Sequence, residues 1–257
     1  MRVSAGNVIV TGATRGIGRA TVDAILEHGG RVIGIARDAE ALSALEALHP
    51  NRVRGLAADL GNSEHLTEVA ERAREAFGQI DGLVNCAGIA RYEPVGSITL
   101  ESIDAQLRVN LVAPLLFSQA VANHMRDRGG AIVNVSSTLS ERVAPLTAVY
   151  AATKAALNAL TKTLALELAP DGIRVNAVLP GGVDTDMLRT PRLRPGEALT
   201  AAELEKRVDA QLAALRAMHP LGRLGTPLEV ASVIVESLDH PWQTGSLITI
   251  DGGLALS

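Results

Sequence analysis

The chain has 257 residues, of which 47% are hydrophobic and only 2% aromatic, so a sizeable core must be built from aliphatic side chains. Its formal net charge of -4 argues against nucleic acid or an anionic membrane as a partner. One cysteine, no signal-peptide pattern and no apolar run of the roughly 18 residues that a membrane span needs predict a cytoplasmic protein without disulfides.

Short apolar runs alternate along the chain with amphipathic stretches of helical period. The runs predict strands at 7–10, 31–35, 53–57, 82–85, 131–135, 174–179 and 247–250. The stretches predict helices at about 16–28, 38–48, 63–77, 100–127, 146–168, 201–218 and 226–238. Continuously hydrophobic strands indicate burial on both faces, hence a parallel sheet with helices on both sides. The order predicts one α/β domain over 1–257, a Rossmann-like doubly wound sheet of about seven strands.

A glycine-rich turn follows the first predicted strand and opens the first predicted helix. Gly12 is placed to make the turn, Gly16 to let backbone approach a phosphate, and Gly18 to let the helix lie close to the strand. The free N–H groups and positive dipole end of such a helix bind a pyrophosphate. The turn therefore predicts a dinucleotide site that includes Gly12, Thr14, Arg15, Gly16, Ile17 and Gly18.

The end of the second predicted strand indicates which dinucleotide binds. An acidic residue there bonds a ribose 2′-hydroxyl, whereas an arginine accommodates a 2′-phosphate. Arg37 follows the strand and Arg15 lies in the glycine turn, which favours NADP(H), with NAD(H) as the alternative. Asp38 is the other candidate for the ribose, but we interpret it as the N-cap of the helix that begins at Ala39.

Three polar residues near the predicted sheet edge suggest proton-transfer chemistry. Tyr150 and Lys154 are at i and i+4 of a predicted helix and share one face. A lysine ammonium, with the charge of an oxidised nicotinamide, is expected to lower the pKa of the tyrosine and make it a general acid or base. Ser137, just past the fifth strand, is placed to hold a substrate oxygen. Each feature alone is common, so the prediction depends on their joint occurrence.

Two interruptions of the regular pattern carry further predictions. Pro114 lies inside the predicted helix 100–127 and frees the carbonyl of Asn110, which can anchor a water that relays protons to Lys154; an ordinary kink is the alternative. Residues 186–225 are inserted after a strand, with Thr200 and Glu203 at capping-box spacing. This 186–225 segment is either a substrate lid or a surface helical excursion.

Taken together, these motifs resemble the short-chain dehydrogenase/reductase family over nearly the whole chain. The glycine turn, the element Asn85-Cys86-Ala87-Gly88 and the pair Pro180-Gly181 match its motifs, with Cys86 where the family has a second asparagine. The resemblance places the family's catalytic tetrad on Asn110, Ser137, Tyr150 and Lys154. It also implies cofactor contacts from Asp59, Leu60, Asn85, Ala87, Gly88, Tyr150, Lys154, Gly181, Val183 and Thr185.

The resemblance implies an enzyme that interconverts a small-molecule ketone or aldehyde and an alcohol, as a homodimer or homotetramer, without a nucleic-acid or membrane partner. Residues 90–93, 138–144 and 186 onward would line the substrate site. Candidates for binding an anionic substrate are Arg91, Arg142, Arg189, Arg192 and Arg194, although solvated surface positions are the alternative for most of them. The alternative function is a non-catalytic nucleotide-sensing protein of the same fold, which would have a broken tetrad.

Overall fold

A parallel sheet of seven strands runs through the residues that the computed structural model describes, which are 2–193 and 197–256. The strands are β1 (Asn7–Thr11), β2 (Arg31–Ala36), β3 (Val53–Ala57), β4 (Gly82–Asn85), β5 (Gly130–Val135), β6 (Ile173–Pro180) and β7 (Leu247–Ile250). Their order is β3-β2-β1-β4-β5-β6-β7, with every neighbouring pair parallel. The predicted Rossmann-like sheet is confirmed.

Helices cover both faces of this sheet. In chain order they are α1 (Gly16–Glu27), α2 (Ala39–Leu48), α3 (Leu66–Phe77), α4 (Leu100–Leu107), α5 (Ala113–Met125), α6 (Ala148–Leu168), α7 (Asp186–Arg189), α8 (Ala201–Met218) and α9 (Pro227–Asp239). Because side chains alternate along a strand, Val8 and Val10 pack in a buried cluster with α1 and α9, whereas Ile9 packs with α3 and α5 on the other face. Within the described ranges, none of the helices is long and apolar enough to cross a membrane.

The helix predicted over 100–127 is confirmed from Leu100 to Met125, but its winding is not uniform. A π-helical segment, Arg108–Val112, lies between α4 and α5, and Pro114 falls in the first turn of α5. The wider π turn, closed by the Ala113 N–H donating to Arg108 O, accommodates the proline that follows it. The π segment contains Asn110, a candidate site residue.

The start of α8 agrees with the sequence, whereas the starts of α6 and α3 differ from the predicted ones. Thr200 and Glu203 form the predicted capping box at the start of α8. The helix expected over 146–168 begins later, at Ala148, because Leu146 has a φ of +68°, which is left-handed backbone. The helix expected from 63 starts with a short 3-10 turn, Ser63–His65, before α3.

The strand order reverses between β1 and β4, two neighbouring strands that pair with each other in the middle of the sheet. The chain leaves these two strands toward opposite sides, so their carboxyl ends open a crevice at the sheet edge. The glycine turn follows β1, and the loop that carries Ala87 and Gly88 follows β4. The fold therefore brings the predicted dinucleotide motifs to one place.

Candidate active site

The glycine turn after β1 has the backbone that glycine alone adopts freely. Gly12 and Gly16 have φ values of +69° and +55°. A Cβ at Gly18 would lie 2.1 Å from the carbonyl oxygen of Gly12, so a side chain there would separate α1 from the turn. Arg15, the N-cap of α1, makes no side-chain cap bond to described residues, and the first turn holds no acid. The N–H groups of this turn thus fit a phosphate.

Thr11 joins the two sides of the crevice, a role that the sequence did not indicate. Its buried Oγ1 accepts hydrogen bonds from the backbone N–H groups of Cys86 and Ala87, both at 3.0 Å. A Cβ at Gly12 would lie 3.1 Å from the Cα of Ala87. The loop after β4 is therefore clamped against the glycine turn. Thr11 belongs to the motif, but its partners are in a loop that is distant in sequence.

Side chains at the end of β2 confirm the interpretation of Asp38. The carboxylate of Asp38 accepts a 2.9 Å hydrogen bond from the N–H of Ala41, which makes it the N-cap of α2. Arg37 and Arg15 are exposed at the outer end of the crevice. The cations are therefore accessible, while the nearby acid is engaged in a helix cap.

Three further predicted cofactor residues differ in what their side chains do. Asp59 is exposed, and its Oδ1 accepts a 3.0 Å hydrogen bond from the N–H of Gly61. Leu60 is buried in the core. The amide of Asn85 donates to Ser118 Oγ at 3.0 Å and to Asn134 Oδ1 at 2.8 Å, so its side chain links β4 to α5 and β5. Any contact between Asn85 and a cofactor would therefore come from its backbone.

The loop after β6 reaches back to the glycine turn. The N–H of Gly181 donates to Ile250 O at 3.0 Å, which ties the loop to β7. Val183 is buried and forms an isolated parallel bridge with Gly225. Thr185 lies beside the turn, since its Cγ2 would be 3.3 Å from a Cβ at Gly16. The structure therefore brings Thr185 and Gly16 together across the crevice.

His219, at the end of α8, supports the same loop, a role that the sequence alone does not indicate. Its Nε2 accepts a 3.0 Å hydrogen bond from the N–H of Gly182, and its Nδ1 lies 2.7 Å from the carbonyl oxygen of Leu215. An N–H can only donate and a carbonyl can only accept, so the ring is neutral with its proton on Nδ1. A histidine at a helix end gives no sequence signal for a partner 37 residues away.

Ser137, Tyr150 and Lys154 meet at the carboxyl end of β5. Ser137 follows the strand, Tyr150 and Lys154 are on α6, and all three are buried. Ser137 lies close enough to Tyr150 to lower the pKa of that phenol. The ammonium of Lys154 lies 5.7 Å from the centroid of the Tyr150 ring and donates to Val135 O at 2.7 Å. The predicted serine, tyrosine and lysine thus form one cluster.

Asn110 holds the loop after β4 to this cluster through its side chain. Its Oδ1 accepts from the N–H of Ile89 and its Nδ2 donates to Ile89 O, both at 2.9 Å, while Nδ2 also lies 3.2 Å from Thr153 Oγ1. A Cβ at Gly88 would lie 3.4 Å from Asn110 Oδ1 and 3.7 Å from Lys154 Nζ. The four predicted residues are therefore contiguous. A water on the backbone carbonyl of Asn110 stays a prediction.

Burial dominates the electrostatics of the cluster. It raises the pKa of Tyr150, the nearby Tyr92 raises it further, and the neighbouring Ser137 opposes these effects. Burial also lowers the pKa of Lys154 to about 8. Burial dominates the pKa of Tyr150 in the protein itself, and the lowering expected from Lys154 together with an oxidised nicotinamide stays a prediction. Tyr150 is a neutral phenol at neutral pH, which suits a proton donor.

Cys86 lies in the same loop and is half-buried. Burial raises the pKa of its thiol to about 12. A neutral thiol is a poor nucleophile, which supports the interpretation of this side chain as packing.

Comparison with known proteins identifies the family. The family model described as short chain dehydrogenase matches residues 6–195, and the chain belongs to this family of oxidoreductases. It is 38% identical to L-xylulose reductase from Homo sapiens over 96% of this chain and 95% of that protein. It is 37% identical to the 3-oxoacyl-[acyl-carrier-protein] reductase of Thermotoga maritima over the full length of both. The solved structure "ElxO with NADP Bound" matches with a TM-score of 0.84 and 27% identity, covering 98% of this chain and 99% of that one.

Proposed function

We propose that this protein is an NADP(H)-dependent oxidoreductase that interconverts a ketone or aldehyde and an alcohol, with Tyr150 as general acid and base. The observation that carries the proposal is the buried cluster of Ser137, Tyr150 and Lys154 at the sheet edge that also holds the glycine turn. Similarity to two reductases and to a protein with NADP bound supports it.

The crevice fits a nicotinamide dinucleotide. A side chain at Gly12 or Gly16 would sit on strained backbone, and one at Gly18 would collide with the carbonyl oxygen of Gly12. When bound, the nicotinamide supplies or accepts the hydride. The first turn of α1 would hold the pyrophosphate, and Arg15 and Arg37 the 2′-phosphate that distinguishes NADP from NAD. The remaining contacts would come from Thr14, Ile17, Asp59, Leu60, Asn85, Ala87, Gly88, Gly181, Val183 and Thr185.

In the direction of reduction, the substrate oxygen accepts hydrogen bonds from Ser137 Oγ and Tyr150 Oη. Burial keeps Tyr150 protonated, so Oη can give its proton to that oxygen as the carbonyl carbon is reduced. Ser137 holds the oxygen where negative charge develops. Lys154 places its ammonium 5.7 Å from the centroid of the phenol ring. The same ammonium would bind the nicotinamide ribose. Asn110 fixes the loop that faces the ribose.

The 186–225 segment would cover the substrate. It begins at the loop after β6, and His219 and Gly225 attach its far end to that same loop. Its two ends are thus fixed next to the nicotinamide site. Arg194 and Pro195, named from the sequence, lie outside the described residues.

We also propose a homodimer or homotetramer in which α4 and α6 form an interface. Leu100 on α4 and Leu166 on α6 are 77% and 80% exposed, so each helix offers an apolar side chain that an interface could cover. Sedimentation equilibrium of the purified protein measures the state, and a monomer at micromolar concentration would contradict this part of the proposal.

The function itself is tested by following NADPH absorbance with purified protein and a panel of ketones, aldehydes and reducing sugars. Turnover of any member above a control without enzyme supports an oxidoreductase. Tight NADPH binding without turnover of any member would contradict it and favour the nucleotide-sensing alternative.

A further inference from the structure

An arginine of the 186–225 segment stacks on a tyrosine of the loop after β4. The guanidinium carbon of Arg192 lies 4.1 Å from the centroid of the Tyr92 ring. This distance is typical of a cation–π contact. The contact joins the segment that follows β6 to the loop that follows β4, so it spans the crevice in which the cluster of Ser137 and Tyr150 lies.

The stacked pair is close to the proton-transfer cluster. Tyr92 is near enough to Tyr150 to raise the pKa of that phenol. The residue after it, Glu93, donates its N–H to Leu146 O at 2.9 Å, just before the start of α6. Tyr92 is therefore fixed beside the helix that carries Tyr150, and Arg192 lies over Tyr92.

The backbone of Arg192 is held by α8 on both sides of the residue. Its N–H donates to Gln211 Oε1 at 3.3 Å, and its carbonyl accepts from Arg207 at 3.4 Å. Gln211 also donates to Leu188 O at 2.7 Å, which orders the preceding turn. With the backbone anchored by α8 and the side chain stacked on Tyr92, the guanidinium is positioned before any ligand arrives.

The other arginines considered as anion ligands are engaged differently. Arg189 donates to both carboxylate oxygens of Asp184, at 2.8 and 2.9 Å. Arg91 lies 4.0 Å from Glu101. Arg142 is joined to the site through its backbone, which donates to Thr138 O at 2.8 Å. Arg194 lies outside the described residues.

Arg192, in contrast, has guanidinium N–H groups that are not paired with an acid. It forms no ion pair with an acidic side chain in 2–193 or 197–256. Its Nε is buried and has no hydrogen-bond partner in those same ranges. A buried N–H without a partner is costly, so an acceptor that reached it on ligand binding would recover that cost. Stacking on Tyr92 uses the face of the guanidinium and leaves its N–H edge available.

We propose that Arg192 binds a carboxylate of the substrate, so that the preferred substrates are oxo acids whose ketone lies at Ser137 and Tyr150. The planar guanidinium presents parallel N–H groups that match the two oxygens of a carboxylate. The inference rests on the proposed carbonyl reduction and adds the substrate class to it.

The test compares matched substrates and variants. A series of oxo acids with the ketone at position 2, 3, 4 or 5 is assayed with NADPH beside the methyl ester of each acid. The proteins are the unmodified chain, Arg192→Met, Arg192→Lys and Arg72→Met, the last an exposed arginine on α3. For at least one chain length, the acid is expected to exceed its ester in kcat/KM by about 10- to 100-fold.

Arg192→Met is expected to remove that advantage, mainly by raising KM for the acid, and to change kcat/KM for the ester by less than about threefold. Arg192→Lys should keep part of the preference, because the charge remains but the paired N–H geometry does not. Arg72→Met should match the unmodified chain.

Three results would overturn the inference. If unmodified protein reduces esters and neutral ketones as well as it reduces acids, the carboxylate site is wrong and carbonyl reduction stands. If Arg192→Met lowers activity on acids and esters equally, Arg192 only holds the 186–225 segment in place. If no carbonyl compound is reduced by any of the proteins, the proposed function fails, and the inference fails with it.

Discussion

The backbone N–H of Gly182 donates a 3.0 Å hydrogen bond to Nε2 of His219, a side chain that is 3% exposed. This bond joins the end of α8 to the loop that carries Val183 and Thr185. The carbonyl oxygen of Leu215 accepts from the other ring nitrogen, so His219 is held in one tautomer. The order of the proposed nicotinamide site therefore depends in part on a residue that would not contact the cofactor.

Replacing His219 by Phe should destabilise the protein and weaken NADPH binding. The substitution leaves the half-buried N–H of Gly182 without an acceptor, which costs about 1–3 kcal/mol of unfolding free energy. His219→Gln provides an amide oxygen near the position of Nε2 and is the control. Urea unfolding and NADPH titration measure both effects. Equal losses in the two variants would show that the acceptor is unimportant.

Removing the hydroxyl of Thr11 should open the crevice between β1 and β4. Thr11→Val keeps the volume but leaves the N–H of Ala87 without an acceptor, at a cost of about 1–3 kcal/mol in stability, whereas the N–H of Cys86 still donates to Val84 O at 3.1 Å. Thr11→Ser keeps Oγ and serves as the control. We expect Thr11→Val to lower the urea midpoint and to raise the Kd for NADPH, while Thr11→Ser stays close to the unmodified protein. Unchanged NADPH binding in Thr11→Val would contradict the role of the clamp.

The cofactor preference is predicted to depend on Arg37. Arg37→Asp removes a cation and adds a carboxylate that can bond the ribose 2′-hydroxyl, so preference should shift from NADPH toward NADH. A shift of about 10- to 100-fold in the ratio of Kd values is expected for loss of one charged hydrogen bond. Fluorescence titration of both cofactors measures it. Equal affinities of the unmodified protein for NADPH and NADH would refute the assignment.

The rate of carbonyl reduction should fall above about pH 8. Burial lowers the pKa of Lys154 to about 8, so its ammonium is present below that pH and lost above it. Tyr150, whose pKa burial raises, stays protonated through the same range. A profile of kcat/KM against pH for reduction checks this, and Lys154→Met should give a low rate without that decline. A rate that increases through pH 8 would contradict the assignment of the lysine.

The sequence predicted the sheet well because its signals are local. Continuous apolar runs such as that at Val8 specify buried strands, and glycines with positive φ specify the turn after β1. What could not be predicted depends on contacts between distant parts of the chain. The pKa of Tyr150 depends on the depth of burial and on the nearness of Tyr92, neither of which spacing reveals. The same holds for Thr11, whose partners are in the loop after β4.

Helix geometry and side-chain direction limited the prediction in two other places. The motif indicated Asn85 as a cofactor residue, but its amide bonds Ser118 and Asn134, because strand residues alternate between faces and this one points inward. Pro114 suggested a kink within one helix, whereas the chain instead forms a π segment before it. Sequence patterns do not distinguish these ways of accommodating a proline.

Whether the phenol of Tyr150 transfers the proton is decided with the Tyr150→Phe variant. The measurement is kcat/KM for a carbonyl substrate found in the panel, together with the Kd for NADPH of the same preparation. We expect a loss of about 10²- to 10⁴-fold in kcat/KM, because a general acid is removed, with NADPH still bound. Turnover within a few-fold of the unmodified protein, with cofactor bound equally well, would contradict it.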